Sequence, residues 1–135
     1  AVACSGVLDV PRCVVEAEGK VQANGDGRFL HCLRCLLSPE HLHDVELQRK
    51  ASPRAYVSES SSPCMVVCGT ADTFVPGDQS RETAAHARLL GLDWPELIVT
   101  GAEHNFNPAS ADIPTVPDAK GIYAAIRDFL RSHAR

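Results

Sequence analysis

Three short apolar runs, with helix-patterned sequence between them, most constrain what this chain can fold into. Residues 1–8 (AVACSGVL) are small and apolar, while residues 64–68 (CMVVC) and 96–100 (ELIVT) are short and rich in aliphatic and β-branched residues. Turn formers bound them: Asp9 and Pro11 after the first, Pro63 and Gly69 around the second, Gly101 after the third. A run apolar at successive positions, rather than at alternate ones, suits a strand covered on both faces. The sequence between the runs is long enough for helical crossovers, which parallel strands require.

Those intervening segments read as helices. Phe29, Leu30, Leu33, Leu36 and Leu37 recur at three-and-four spacing over residues 28–37. Ser38-Pro39 then opens a second helix, with Ser38 as N-cap and Pro39 at the first helical position, running to about Lys50. Asp78 is the expected cap of a helix through Leu90, stopped by Gly91. Asp118 starts the last helix, whose stripe is Ile122, Ala125, Ile126, Phe129 and Leu130. Residues 16–28 are polar and end in the turn Asn24-Gly25-Asp26-Gly27, while Ser58–Pro63 and Gly101–Pro117 read as loops. The sum is an α/β fold: a three-stranded parallel sheet with flanking helices, one domain over residues 1–135, with a helical insertion at about 28–50.

Composition narrows the function classes. With 135 residues, 44% hydrophobic and 22% charged, the chain has the make-up of one globular domain. A net charge of -4 and only 5% aromatic residues argue against nucleic acid as a partner. No 18-residue apolar run is present, so no membrane-spanning helix is expected. The start lacks a basic stretch followed by an apolar core, so no signal peptide is read and an intracellular location is the expectation.

The cysteines are Cys4, Cys13, Cys32, Cys35, Cys64 and Cys68. Cys32-x-x-Cys35 with Cys64-x-x-x-Cys68 has the look of a zinc set, but on a strand the second pair lies ~13 Å apart. Zinc holds sulfur at about 2.3 Å, so the two cannot share one ion. All six are therefore read as small apolar core residues, with a redox pair at Cys32 and Cys35 as the alternative. His31, His41, His43, His86 and His133 fall on helices and read as solvated or packing side chains. No metal ion or organic cofactor is expected.

Chemistry is expected at the carboxyl ends of parallel strands. Two loops qualify: Gly69-Thr70-Ala71-Asp72-Thr73-Phe74-Val75-Pro76 and Gly101-Ala102-Glu103-His104-Asn105-Phe106. They place Asp72 and His104 at consecutive strand ends, and adjacent strands about 4.8 Å apart allow the two side chains to meet. A carboxylate on one imidazole nitrogen fixes the tautomer and frees the other as a base. Alone, Asp72 also reads as a turn residue bonding its own backbone, and Asp9 as a turn residue at a strand end. Phe74, Phe106 and Trp94 read as packing around the site.

These segments carry a resemblance. SSPCMVVCGTADTFVPGDQS and LIVTGAEHNF resemble the last third of an α/β-hydrolase of the esterase/lipase group, which includes feruloyl-esterase-like enzymes and prolyl-oligopeptidase relatives. AVACSGVLDV resembles the strand after the nucleophile region, and LLSPEHLHDVELQRKASPRAYV the helical insertion of that group. The resemblance implies a carboxyl-terminal portion of an α/β-hydrolase fold, with Asp72 as catalytic acid and His104 as catalytic histidine. It implies serine-hydrolase acyl transfer, carboxylic ester hydrolysis first, on a small-molecule ester.

The chain departs from that pattern in instructive places. Cys68 stands where the family has histidine, and Glu103 and Asn105 flank His104 where small residues are common. No Gly-x-Ser-x-Gly occurs, and the His-Gly-Gly loop is absent. Ser5, within the first apolar run, is not promoted to nucleophile. The expectation is a chain that supplies the acid and base of a triad, with the serine and oxyanion donors outside it, in an amino-terminal half. Two alternatives stand beside it: a prolyl-oligopeptidase-like peptidase, and a non-catalytic hydrolase-derived interaction module that self-associates through its edge strand.

Overall fold

A computed structural model describes residues 1–134. Three strands, β1 (Val2–Cys4), β2 (Met65–Gly69) and β3 (Glu96–Val99), form a parallel sheet in the order β1-β2-β3. Val2 pairs with Met65, and Val66 pairs with Glu96. Five helices accompany them: α1 (Val10–Asn24), α2 (Arg28–Leu37), α3 (Val45–Lys50), α4 (Gly77–Leu89) and α5 (Ala119–Ser132). Short 3-10 turns lie at Pro39–His41 and Pro53–Tyr56.

Strand β2 is buried along its length because helices cover both faces of the sheet. Its side chains alternate by the period of a strand. Val66 and Cys68 pack with Ala84 and Ala87 of α4, while Met65 and Val67 meet Ile122 and Phe129 of α5. A third cluster joins Val10, Cys13, Val14 and Ala17 of α1 to Phe29, Leu30 and Leu33 of α2, closed by Leu42 and Val75. Val75 belongs to the loop after β2, so this helical cluster is built against that loop. Among the described residues, no helix is long and apolar enough to cross a membrane.

Several local expectations are corrected. The first strand ends at Cys4, not at residue 8. Ser5 leaves the strand at φ 45°, and the next residues are tied to α4 instead of to a ladder. The amide of Gln79, wholly buried, accepts from the Leu8 and Asp9 N–H groups at 2.8 and 3.0 Å and donates to the Gly6 carbonyl at 2.6 Å. Residues 10–24 are helical, where only a polar stretch over 16–28 and its turn at Asn24–Gly27 are read from sequence. Asp9 caps this helix by accepting from the Arg12 N–H at 3.3 Å, Pro11 sits in its first turn, and Gly25 ends it at φ 75°.

Ser38 stands at the N-cap position of the Pro39–His41 turn, with Pro39 first in that turn as expected, but makes no side-chain capping bond; it sits at φ 60° with its hydroxyl 3.0 Å from His41 Nδ1. The second helix accordingly starts late, capped by Asp44, which accepts from the Leu47 N–H at 3.0 Å. Helix α4 begins at Gly77 after Pro76, one residue before the expected cap. Helix α5 follows its expectation, with Asp118 accepting from the Gly121 N–H at 2.8 Å. Cys13, Cys64 and Cys68 are buried, but Cys4, Cys32 and Cys35 are exposed, so only half the cysteines are core residues. Trp94 lies at the opposite end of the sheet from the strand-end loops, donating to the Ser62 carbonyl at 3.0 Å, and packs away from the site.

Candidate functional site

The loops that follow β2 and β3 leave the same edge of the sheet and are sewn together by backbone. Thr70 N–H donates to the Val99 carbonyl at 3.0 Å and Ala71 N–H to the Ala102 carbonyl at 2.9 Å. Gly101 N–H reaches the Thr70 hydroxyl at 2.9 Å. This approach requires glycine at position 69, since a Cβ there would strike the Ala102 carbonyl and stand 2.9 Å from the Glu103 oxygen. Beyond the seam, Thr100 and Val116 exchange hydrogen bonds of 2.8 and 3.0 Å. A tight turn from Glu103 to Asn107 then presents His104, closed by Glu103 N–H to the Asn107 carbonyl at 2.9 Å, with Phe106 at φ 60°.

Asp72 and His104 meet across that seam. Asp72 Oδ2 lies 3.0 Å from His104 Nδ1, and Oδ1 accepts from the Phe74 and Val75 N–H groups at 2.9 Å each. The carboxyl is thus both a turn-former and a partner for the imidazole. Its side chain is 2% exposed, against 33% for His104. An ionised carboxylate only accepts, so the proton between them is assigned to Nδ1, which leaves Nε2 with a lone pair. Phe74 holds the imidazole ring edge-on, centroids 5.1 Å apart, and Phe29 of α2 backs Phe74 at 5.5 Å. Phe106 packs on the α5 side of the sheet.

His104 lines a cavity of about 330 Å³ with Arg28, Thr73, Phe74, Glu103, Asn105 and Asn107. Its walls are mostly polar. Arg28 enters from the first turn of α2 and pairs with Asp26 at 2.8 and 2.9 Å, holding that carboxyl down at about 2. Glu103 and Asn105, the residues flanking His104, are exposed.

Neither Ser5 nor the buried thiols of Cys13 and Cys68 is a ready nucleophile here. Ser5 lies nearby, but its hydroxyl donates to the His104 carbonyl at 3.0 Å. Burial pushes the Cys68 thiol up to about 11 and the Cys13 thiol up to about 12, so both are neutral thiols near pH 7. The remaining histidines sit elsewhere: His43 faces Glu18 at 3.4 Å and His133 faces Asp93 at 3.0 Å. Among the described residues, no group of three or more His, Cys, Asp or Glu side chains is placed to hold a metal ion.

Arg28, Thr73, Asn107 and Lys20 were not singled out by sequence, and Ser5 was weighed only as a nucleophile, not as a support of the His104 loop. Arg28 carried a signal, since it follows the Asn24–Gly27 turn that aims the start of α2. The others carried none.

Comparison with known proteins bears on the fold of the chain. The non-reducing polyketide synthase prhL of Penicillium brasilianum is 30% identical over 92 residues, covering 64% of this chain and 4% of that protein. The chain therefore spans a small part of that curated relative. No solved structure matches it. The BD-FAE family, a feruloyl esterase-like group of α/β-hydrolases, matches residues 12–87, from α1 through most of α4. That stretch includes β2 and Asp72 and stops short of the His104 loop. With more than half of its length matched, and Asp72 at the end of a central parallel strand, the chain belongs to the BD-FAE family of esterase-like α/β-hydrolases.

Proposed function

We propose that this chain is the acid-and-base portion of a serine hydrolase that cleaves carboxylic esters, and that it forms the carboxyl-terminal part of an α/β-hydrolase fold. The observation that carries the reading is the 3.0 Å contact between His104 Nδ1 and a buried Asp72 carboxylate, which leaves Nε2 free as a base. In the proposed reaction a serine hydroxyl attacks the ester carbonyl carbon while Nε2 takes its proton. Collapse of the tetrahedral intermediate expels the alcohol, which takes that proton from Nε2. Water then attacks the acyl-serine with Nε2 as base again, releasing the acid and the serine. Asp72 keeps the imidazole oriented and stabilises the imidazolium.

The serine and the oxyanion donors belong to polypeptide outside these 135 residues, since the sequence holds no Gly-x-Ser-x-Gly. In the polyketide synthase relative the similar stretch is likewise a small part of a much longer chain. The polar cavity at His104 fits a leaving group or acyl group bearing hydroxyls or a carboxylate.

The test is fluorophosphonate labelling and ester turnover, run on the product of the whole reading frame that contains these residues and on the 135-residue chain alone. Labelling at a serine outside residues 1–135, with ester cleaved faster than peptide, is the expected result. Peptide cleavage in preference to ester would replace the esterase by a peptidase. Absence of labelling and turnover in the whole product would leave a non-catalytic interaction module, for which the outer edge of β1, which pairs with no strand among the described residues, is the supporting feature.

A further inference from the structure

Lys20, on the last turns of α1, reaches across to the loop that carries Asp72. Its ammonium donates to the Thr73 carbonyl at 2.6 Å and to the Phe74 carbonyl at 3.1 Å. It also stands 5.6 Å over the ring of Phe29, the residue that backs Phe74 against His104. These two carbonyls belong to a particular pair of peptide groups. The Thr73 carbonyl shares its peptide with the Phe74 N–H, and the Phe74 carbonyl shares its peptide with the Val75 N–H. Those N–H groups are the two that donate to Asp72 Oδ1.

The contacts form one continuous series. The ammonium pulls on two carbonyls, the polarised peptides present stronger N–H donors to Oδ1, and the carboxylate so held offers Oδ2 to His104 Nδ1. A hydrogen bond chain of this kind strengthens along its length, and here it starts from a full positive charge. The ammonium also limits where residues 73–74 can sit. That fixes the Asp72 turn and the Phe74 ring, which touch the imidazole from two sides.

We propose that Lys20 is a positioning residue for the Asp72–His104 pair, acting through the 73–74 and 74–75 peptide groups. The inference rests on reading Asp72 and His104 as an acid–base pair, and the experiment below separates the two. It also gives α1 and α2 a role beyond packing, since the helices of the residue 10–37 segment supply both the ammonium and the aromatic backing of the site.

The readout is the imidazole itself in the ¹⁵N-labelled 135-residue chain, observed where His104 is neutral. Long-range ¹⁵N–¹H spectra report which ring nitrogen carries the proton, and the Nδ1 proton signal reports the bond to Asp72. The expected result is a protected Nδ1 proton in the parent chain. In Lys20→Met and Lys20→Gln that signal is lost or moves upfield, and the ring population shifts towards the Nε2-protonated tautomer. Lys20→Arg restores the parent signal, and all variants keep dispersed amide spectra. A merely structural lysine leaves the tautomer unchanged.

Parent-like Nδ1 signals in both Lys20→Met and Lys20→Gln, with the signal lost in Asp72→Asn, would overturn the role of Lys20 and leave the pair intact. A signal unchanged in Asp72→Asn as well would overturn the pair, and the role of Lys20 with it.

Discussion

Replacing Gly69 by alanine attacks the seam that brings acid and base together. The added Cβ meets only backbone: the Ala102 carbonyl group and the Glu103 oxygen, the latter at 2.9 Å. Ordinary contact begins at 3.4 Å and the Ala102 carbonyl oxygen is nearer still, so the histidine loop must retreat by about 1 Å. That retreat costs the Ala71–Ala102 hydrogen bond, about 1 kcal/mol, and adds about 1–3 kcal/mol of overpacking. The expected loss is therefore about 2–4 kcal/mol.

Unfolding entropy of about 2.1 cal/mol/K per residue gives about 0.28 kcal/mol/K over 135 residues, so Tm falls by about 7–14 °C. The same retreat stretches the 3.0 Å Asp72–His104 bond past the limit of hydrogen bonding. Thermal melts followed by circular dichroism read the first effect, and the Nδ1 proton signal of His104 reads the second. Gly19→Ala is the control, because nothing lies within 4 Å of its new Cβ in the middle of α1. There the substitution raises stability by roughly 0.5–1 kcal/mol. A Gly69→Ala chain that melts within about 2 °C of the parent and keeps its Nδ1 signal would refute the seam as described.

Three further outcomes follow from the packing. Gln79→Leu strips partners from the Leu8 and Asp9 N–H groups, while the Gly6 carbonyl keeps the Ser80 hydroxyl, and lowers stability by about 2–5 kcal/mol in urea titrations; a loss below about 0.5 kcal/mol would contradict the role given to the buried amide. The raised thiols make the fold alkali-sensitive. Above about pH 8.5 the unfolded cysteines shed protons that folded Cys13 and Cys68 keep, so the unfolded state binds fewer protons and stability falls as pH rises, until the native thiols ionise near 11 and 12. Urea midpoints from pH 7 to 10 check this, with Cys68→Ala flattening the slope; an equally steep slope in that variant would contradict it. The free edge of β1 self-associates in sedimentation runs through the outward amides of Val2 and Cys4, and Cys4→Pro returns the chain to monomer; a parent that sediments as a monomer at high concentration would exclude such pairing.

How much of this was legible in sequence depended on how local each signal was. The β2 run is apolar at successive positions because α4 and α5 cover its two faces, so it reads as a buried strand without reference to anything else. Asp72 and His104 were legible because each directly follows such a run, and strand ends of one parallel sheet share an edge. Helix α1 was obscured: its apolar stripe is Val10, Cys13, Val14 and Ala17, interrupted by Pro11 and followed by residues 18–24, none of which is buried.

The end of β1 was misread for the opposite reason. Residues 5–8 are apolar enough for a strand, but their polar backbone is satisfied by Gln79, more than 70 residues away. Lys20 and Ser5 had no legible role, since their partners lie 53 and 99 residues distant and no spacing rule links them. The cysteines divide because burial is decided by helix face. Cys13 points into the α1–α2 cluster, while Cys32 and Cys35 lie on the outer side of α2.

The most direct test of the acid–base pair is the rate of ester hydrolysis by the whole reading-frame product carrying His104→Ala, compared with its parent under identical conditions. Loss on the order of 10⁶ in kcat, with KM nearly unchanged and the protein still folded, is the predicted result. A His104→Ala product that retains activity within about tenfold of its parent would contradict the assignment of His104 as the base.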